Sequence, residues 1–328
     1  MRTILKSMAF AAIAAVTACE VAFAQKPGGT LVQITQPEPP NLAPYVSTSG
    51  PIGQVTAKVF DGLLEYDFNL KPQPGLAETF SVSADGKAVT FKLRRGVKFH
   101  DGKPFTSADV QFTIMEALKK NHPRGIATFK EVTAVETPDE STAVFQLAAP
   151  APYMMMALSG YESPILPKHV YGAGDIKAHP NANNPVGTGP FKFVEWRRGE
   201  FARLDKNPDY WREGRSYLDR IVVRFIADAS TRTAVLEKGE AHIAGFGAVP
   251  YNDVKKLAAD IGGARLDHGH DGAQHRADMD HVLGRSRLDE PERGGAARHG
   301  LQRRDQPHDR PLAFGDAGAL LGELAVDD

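Results

Sequence analysis

One cysteine in 328 residues leaves no partner for an internal disulfide, and no Cys-x-x-Cys pair offers a zinc ligand set. Charge of either sign is also missing in excess: 39 basic residues stand against 40 acidic ones, net −1. That balance carries no electrostatic footprint for a phosphate backbone, so nucleic acid is not an expected partner. The chain has no His-Glu-x-x-His, and Ser159 stands in Ala157-Leu158-Ser159-Gly160 rather than in a Gly-x-Ser-x-Gly elbow. Beyond the N-terminus no run of 18 apolar residues occurs, so the mature chain is expected to be soluble. What is present, 42% hydrophobic and 24% charged residues, fits a globular protein of about two domains.

Residues 1–24 read as an address. Arg2 and Lys6 supply positive charge, an apolar run from Met8 to Ala18 follows, and Ala22-Phe23-Ala24 places small residues at the cleavage-determining positions. This is the layout of a secretory signal peptide cut between Ala24 and Gln25, with the mature protein expected in the periplasm. A competing detail is Val16-Thr17-Ala18-Cys19, a loose lipoprotein box in which Cys19 would carry lipid. The Ala-x-Ala site fits the pattern better.

The body alternates strand and helix signals. Gly29–Thr35 is a β-rich run closed by prolines, and Ile52, Val55, Val59, Phe60 and Leu63 predict a helix over Pro51–Leu64. Phe80–Ser83 and Ala88–Leu93 flank an Asp85-Gly86 turn and predict a hairpin. Thr106 or Ser107 caps a helix running to about Lys120. Strand pairs are expected at Phe129–Glu136 with Thr142–Leu147 and at Phe191–Trp196 with Phe201–Leu204. Leu218–Ile226 reads as another strand, and a helix over Ser230–Glu237 stops at Gly239. Pattern alone defines an exported α/β protein.

Several segments, in order, resemble one family. They are Phe60-Asp61-Gly62-Leu63-Leu64-Glu65-Tyr66, Pro74–Glu78, the long stretch from Ser83 to Val110, Pro185–Phe191, and Asn207-Pro208-Asp209-Tyr210-Trp211. Together they are similar to the family 5 extracellular solute-binding proteins, the peptide and nickel receptors of bacterial ABC importers. The likeness covers roughly residues 27–258. It implies an α/β, periplasmic-binding-protein-like (type II-like) architecture. A discontinuous first lobe would comprise 25–66 plus 186–258, an inserted subdomain 67–185, and the second lobe would be missing. The implied function is a periplasmic receptor that binds a small peptide or similar solute and delivers it to an inner-membrane permease. It would be a monomer without cofactor or metal. Loss of the second lobe, with its acidic anchor for a peptide amino terminus, would leave binding weak or absent. The rivals are an exported hydrolase and a non-transport sensor or chaperone on the same fold.

Single residues are weighed against plainer roles. Asn41 and Tyr45 follow the first strand, where open α/β sheets place ligands. Tyr161 and Glu162 stand in a loop before Pro164, with Glu162 able to meet a cationic group. Against these, Asp101-Gly102 after His100 reads as a turn, Asp109 and Glu116 as a solvated helix face, and Met154-Met155-Met156 as core filling.

Composition shifts near Ile261. From there to Asp328 the chain has nine arginines, no lysine, six of its 11 histidines, and no Tyr, Trp, Thr or Asn. Leu, Ile, Val and Phe supply 12 of these 68 residues, too few to offset the entropy of ordering. The 259–328 segment is read as an out-of-frame or disordered tail. A metal segment drawn from His268, His270, His275 and His281 matches no compact ligand spacing.

Overall fold

In the computed structural model, residues 27–245, 247–250, 252, 253 and 257 are described. The N-terminal segment read as a signal peptide, with Cys19, Ala24 and Gln25, and the tail from 261 lie outside them. A five-stranded sheet draws on two distant stretches of chain. Strand β1 (Thr30–Ile34) pairs in parallel with β10 (Arg220–Arg224) and β11 (Ile243–Ala244), while β8 (Phe191–Arg197) and β9 (Phe201–Lys206) extend the sheet antiparallel, giving the order β11-β1-β10-β9-β8. Alternation sets its buried face: Ala202, Leu204, Ile221 and Val223 point inward.

A second sheet is antiparallel throughout, order β4-β5-β7-β6, formed by β4 (Ala77–Val82), β5 (Ala88–Leu93), β6 (Val132–Asp139) and β7 (Thr142–Leu147). Its predicted first hairpin is present, with Gly86 at φ +68° where a side chain would be strained. Phe91 and Phe145 pack across the sheet with ring centroids 5.0 Å apart. One continuous apolar core joins Phe91 and Phe145 to Phe60, Phe191 and Ile221. A smaller cluster of Ile34, Val235, Leu236 and Ala241 lies beneath the helix Ala229–Glu237, which Asp228 caps by accepting from the Thr231 amide. A short hairpin, β2 (Leu64–Tyr66) with β3 (Pro72–Pro74), completes the strand set. No helix among the described residues is long and apolar enough to cross a membrane.

The predicted elements shift where tertiary contacts claim the backbone. The helix expected over 51–64 is α1 (Gly50–Thr56) only. Beyond it, the Lys58 carbonyl accepts from the Phe191 amide at 3.0 Å and the Val59 carbonyl from the Gly189 amide at 2.9 Å. Those carbonyls serve a neighbouring segment instead of a further helical turn. Helix α2 (Ser107–Phe112) continues through a wider π-type turn to Asn121, and its cap is Thr106. Asp109, expected on a solvated face, is buried. Its carboxylate accepts from the Thr106 amide and, through its other oxygen, from the Lys168 amide, both at 2.8 Å. Glu116 is exposed and pairs with Lys120. Strand β6 starts at Val132, after the short helix α3 (Gly125–Thr128). Met154 and Met155 fill the core as expected, but Met156 is 49% exposed.

Candidate functional site

Three of the sequence motifs meet at one carboxylate. Asp61 is buried and accepts from Thr188 Oγ1 at 2.9 Å, Trp211 Nε1 at 2.9 Å and Tyr210 Oη at 3.3 Å. Burial pushes its carboxyl above the usual range, and these donors together with Arg212 pull it back. The Gly189 carbonyl accepts from Asn207 Nδ2 at 3.0 Å and pairs with His100 Nε2 at 2.9 Å. With the Gly187 amide facing Nδ1 at 3.4 Å, His100 is the neutral tautomer protonated on Nε2. Burial, the main cause, lowers its pKa from 6.5 to about 4. Gly62 permits a close backbone approach. A Cβ there would lie 2.3 Å from the Leu158 carbonyl oxygen and 2.4 Å from the Gly160 nitrogen. The junction explains why these residue types stand together: it fixes the segment leaving α1 against the loop before β8.

Two cavities open beside this junction, of about 280 and 660 Å3, and share Glu65, Tyr66, Arg212 and Arg215. Glu65 accepts from Arg212 Nη1 at 2.9 Å. Burial raises its carboxyl pKa, an effect opposed chiefly by Arg212. Tyr66 is pushed up to about 12 by burial. The guanidinium carbons of Arg94 and Arg212 lie 4.6 and 4.5 Å from the Trp211 ring centroid.

The other polar assembly lies at the carboxyl end of β1. Glu38 accepts from Trp196 Nε1 at 2.9 Å and from the Gly199 amide at 3.1 Å. Arg198 stacks 3.5 Å over Trp196 and donates to the carbonyls of Pro39 and Pro40 at 3.1 and 2.9 Å. This clasp ties the loop after β1 to the β8–β9 turn, at the sheet end where open α/β folds bind ligands.

The structure separates the four sequence-picked residues. Asn41 is half-buried in the β1 loop, its Oδ1 accepting from the Ala43 amide at 3.1 Å. Tyr45, expected at a pocket, is instead fully buried, its ring 5.1 Å from that of Tyr171 and edge-on to it; no face remains for solute. Tyr161 is 44% exposed and lines the smaller cavity, seated where Gly53 has no side chain. Glu162 does meet a cation, Arg124 at 2.9 Å, within the protein itself. Sequence reasoning missed Glu38, Trp196, Arg198, Glu65, Arg212 and Arg215. The available signal was rarity: the chain's two tryptophans mark both assemblies.

This architecture is that of a periplasmic binding protein, covered in part by one lobe. The oligopeptide-binding protein AppA of Bacillus subtilis is 34% identical over 237 residues, which are 70% of this chain and 43% of AppA. The structure of AppA with a nonapeptide aligns at TM-score 0.63 and 32% identity, covering 71% of this chain and 46% of that one. AgaA of A. tumefaciens R10, solved with agropinic acid, aligns at TM-score 0.62 and 36% identity, covering 70% and 46%. A sequence model of the bacterial extracellular solute-binding proteins, family 5 (middle region), matches residues 71–275. The chain belongs to that family. It spans about two fifths of the length of the curated relatives it matches.

Proposed function

We propose that this chain is a periplasmic solute receptor of a peptide-type ABC importer, binding without turnover and passing its ligand to an inner-membrane permease. The observation that carries the reading is the Glu38 clasp. Its donors, Trp196 Nε1 and the Gly199 amide, hold the loop after β1 at the carboxyl end of the parallel strands. A pre-ordered loop lowers the entropy that ligand binding must overcome. Family membership supplies the class of ligand: AppA is named for oligopeptides, and AgaA was solved with agropinic acid.

Calorimetry of the exported protein against short peptides, nickel–histidine complexes and opines tests the proposal. Saturable heat with chemically unchanged ligand is the expected result. Glu38→Ala is expected to weaken that binding about tenfold, since hydrogen bonds to a charged acceptor contribute about 1.5–3 kcal/mol. Product formation, or no heat with any of the three classes, overturns it.

A further inference from the structure

The 660 Å3 cavity is lined by three arginines, Arg94, Arg212 and Arg215, and by the acids Glu65, Asp67 and Glu213. Glu65 is committed to Arg212 at 2.9 Å. Asp67 is committed to its hairpin, accepting from the amides of Asn69 and Lys71 at 2.8 and 2.9 Å. Arg212 spends its second nitrogen on the Pro74 carbonyl at 2.8 Å, and Arg94 its Nε on the Gly75 carbonyl at 2.9 Å. Arg215 differs. Its Nη1 is buried and has no hydrogen-bond partner among the described residues. A guanidinium nitrogen withdrawn from water and left unpaired is costly, and such groups are rare in folded proteins. The same cavity is walled by the Trp211 ring and by Tyr66.

We infer that this cavity is a second binding site, distinct from the β1 loop, for a small organic carboxylate with a flat apolar body. Arg215 anchors the carboxylate, because the guanidinium fork matches two oxygens in one plane. Trp211 and Tyr66 cover the apolar body, which accounts for the pairing of aromatic wall and cation in one concave space. The inference goes beyond the importer reading and does not depend on it, since it concerns a different place in the fold.

Benzoate is the probe, with benzamide as its uncharged counterpart and inorganic phosphate as a charge without an apolar body. In the full chain carrying Trp196→Phe, all tryptophan emission comes from Trp211. Benzoate is expected to change that emission saturably, benzamide and phosphate at least tenfold less effectively. Arg215→Gln is expected to abolish the benzoate response. Arg215→Lys, which keeps the charge but loses the fork, is expected to weaken it by a smaller factor, and it serves as the test should the glutamine variant fold poorly. Equal responses to benzoate and benzamide, an unchanged response in both Arg215 variants, or no saturable change overturn the site. Phosphate binding as tightly as benzoate overturns the role of the aromatic wall. None of these outcomes bears on solute binding at the β1 loop, which calorimetry with peptides reads separately.

Discussion

His100 shows how one buried ring ties stability to pH. Its neutral form bonds the Gly189 carbonyl, and burial lowers its folded-state pKa from 6.5 to about 4. The unfolded chain therefore takes up the proton first. Stability from this group is complete above pH 6.5 and is lost as pH falls toward 4, on the order of 3 kcal/mol in all. Replacing His100 by Gln keeps a donor for the carbonyl and removes the titration. Urea unfolding at pH 7, 5.5 and 4.5 is expected to show the wild type losing ground to His100→Gln at each step down. A constant difference across the series would contradict this. Nothing in the local sequence marks His100 as buried. Its neighbours Asp101 and Gly102 read as a turn and form one, while the contacts that bury the ring come from Gly187 and Gly189, nearly ninety residues on.

At the scale of elements, local and distant forces divide the work. Helix α2 begins where its sequence says it should, because Thr106 and Asp109 close a capping box within four residues. Thr106→Ala removes one half of that box and is expected to cost about 1 kcal/mol, read as a lower denaturation midpoint with unchanged slope. Both β-hairpins expected at Asp-Gly and at Phe191–Leu204 form, since turn chemistry and alternation are written in adjacent residues. Helix α1 fails to reach Leu64 for the opposite reason. Its apolar spacing continues, but the carbonyls of Lys58 and Val59 are taken by the loop before β8. No residue near α1 announces that competition.

For the whole molecule, the five-stranded sheet is assembled from residues 30–34 and 191–244, with the antiparallel sheet of 77–147 between them in sequence. Mass spectrometry of the periplasmic fraction is expected to find Gln25 as the first residue, following the Ala-x-Ala site. A diacylglycerol adduct on Cys19 would establish the lipoprotein reading instead.

Strand and helix identity, the two Asp-Gly turns, the α2 cap and the family itself were legible in the residue order, because each rests on neighbours within about ten positions or on long contiguous motifs. The convergence of Asp61, Thr188 and Trp211 was not, nor the fate of Tyr45 as a core ring, nor the gathering of Arg94, Arg212 and Arg215 around one cavity. Those depend on which faces meet across about 120 to 150 residues of intervening chain. Burial and partner are properties of that meeting, and they decide whether a carboxylate is a knot, a phenol is a wall or an arginine is an anchor.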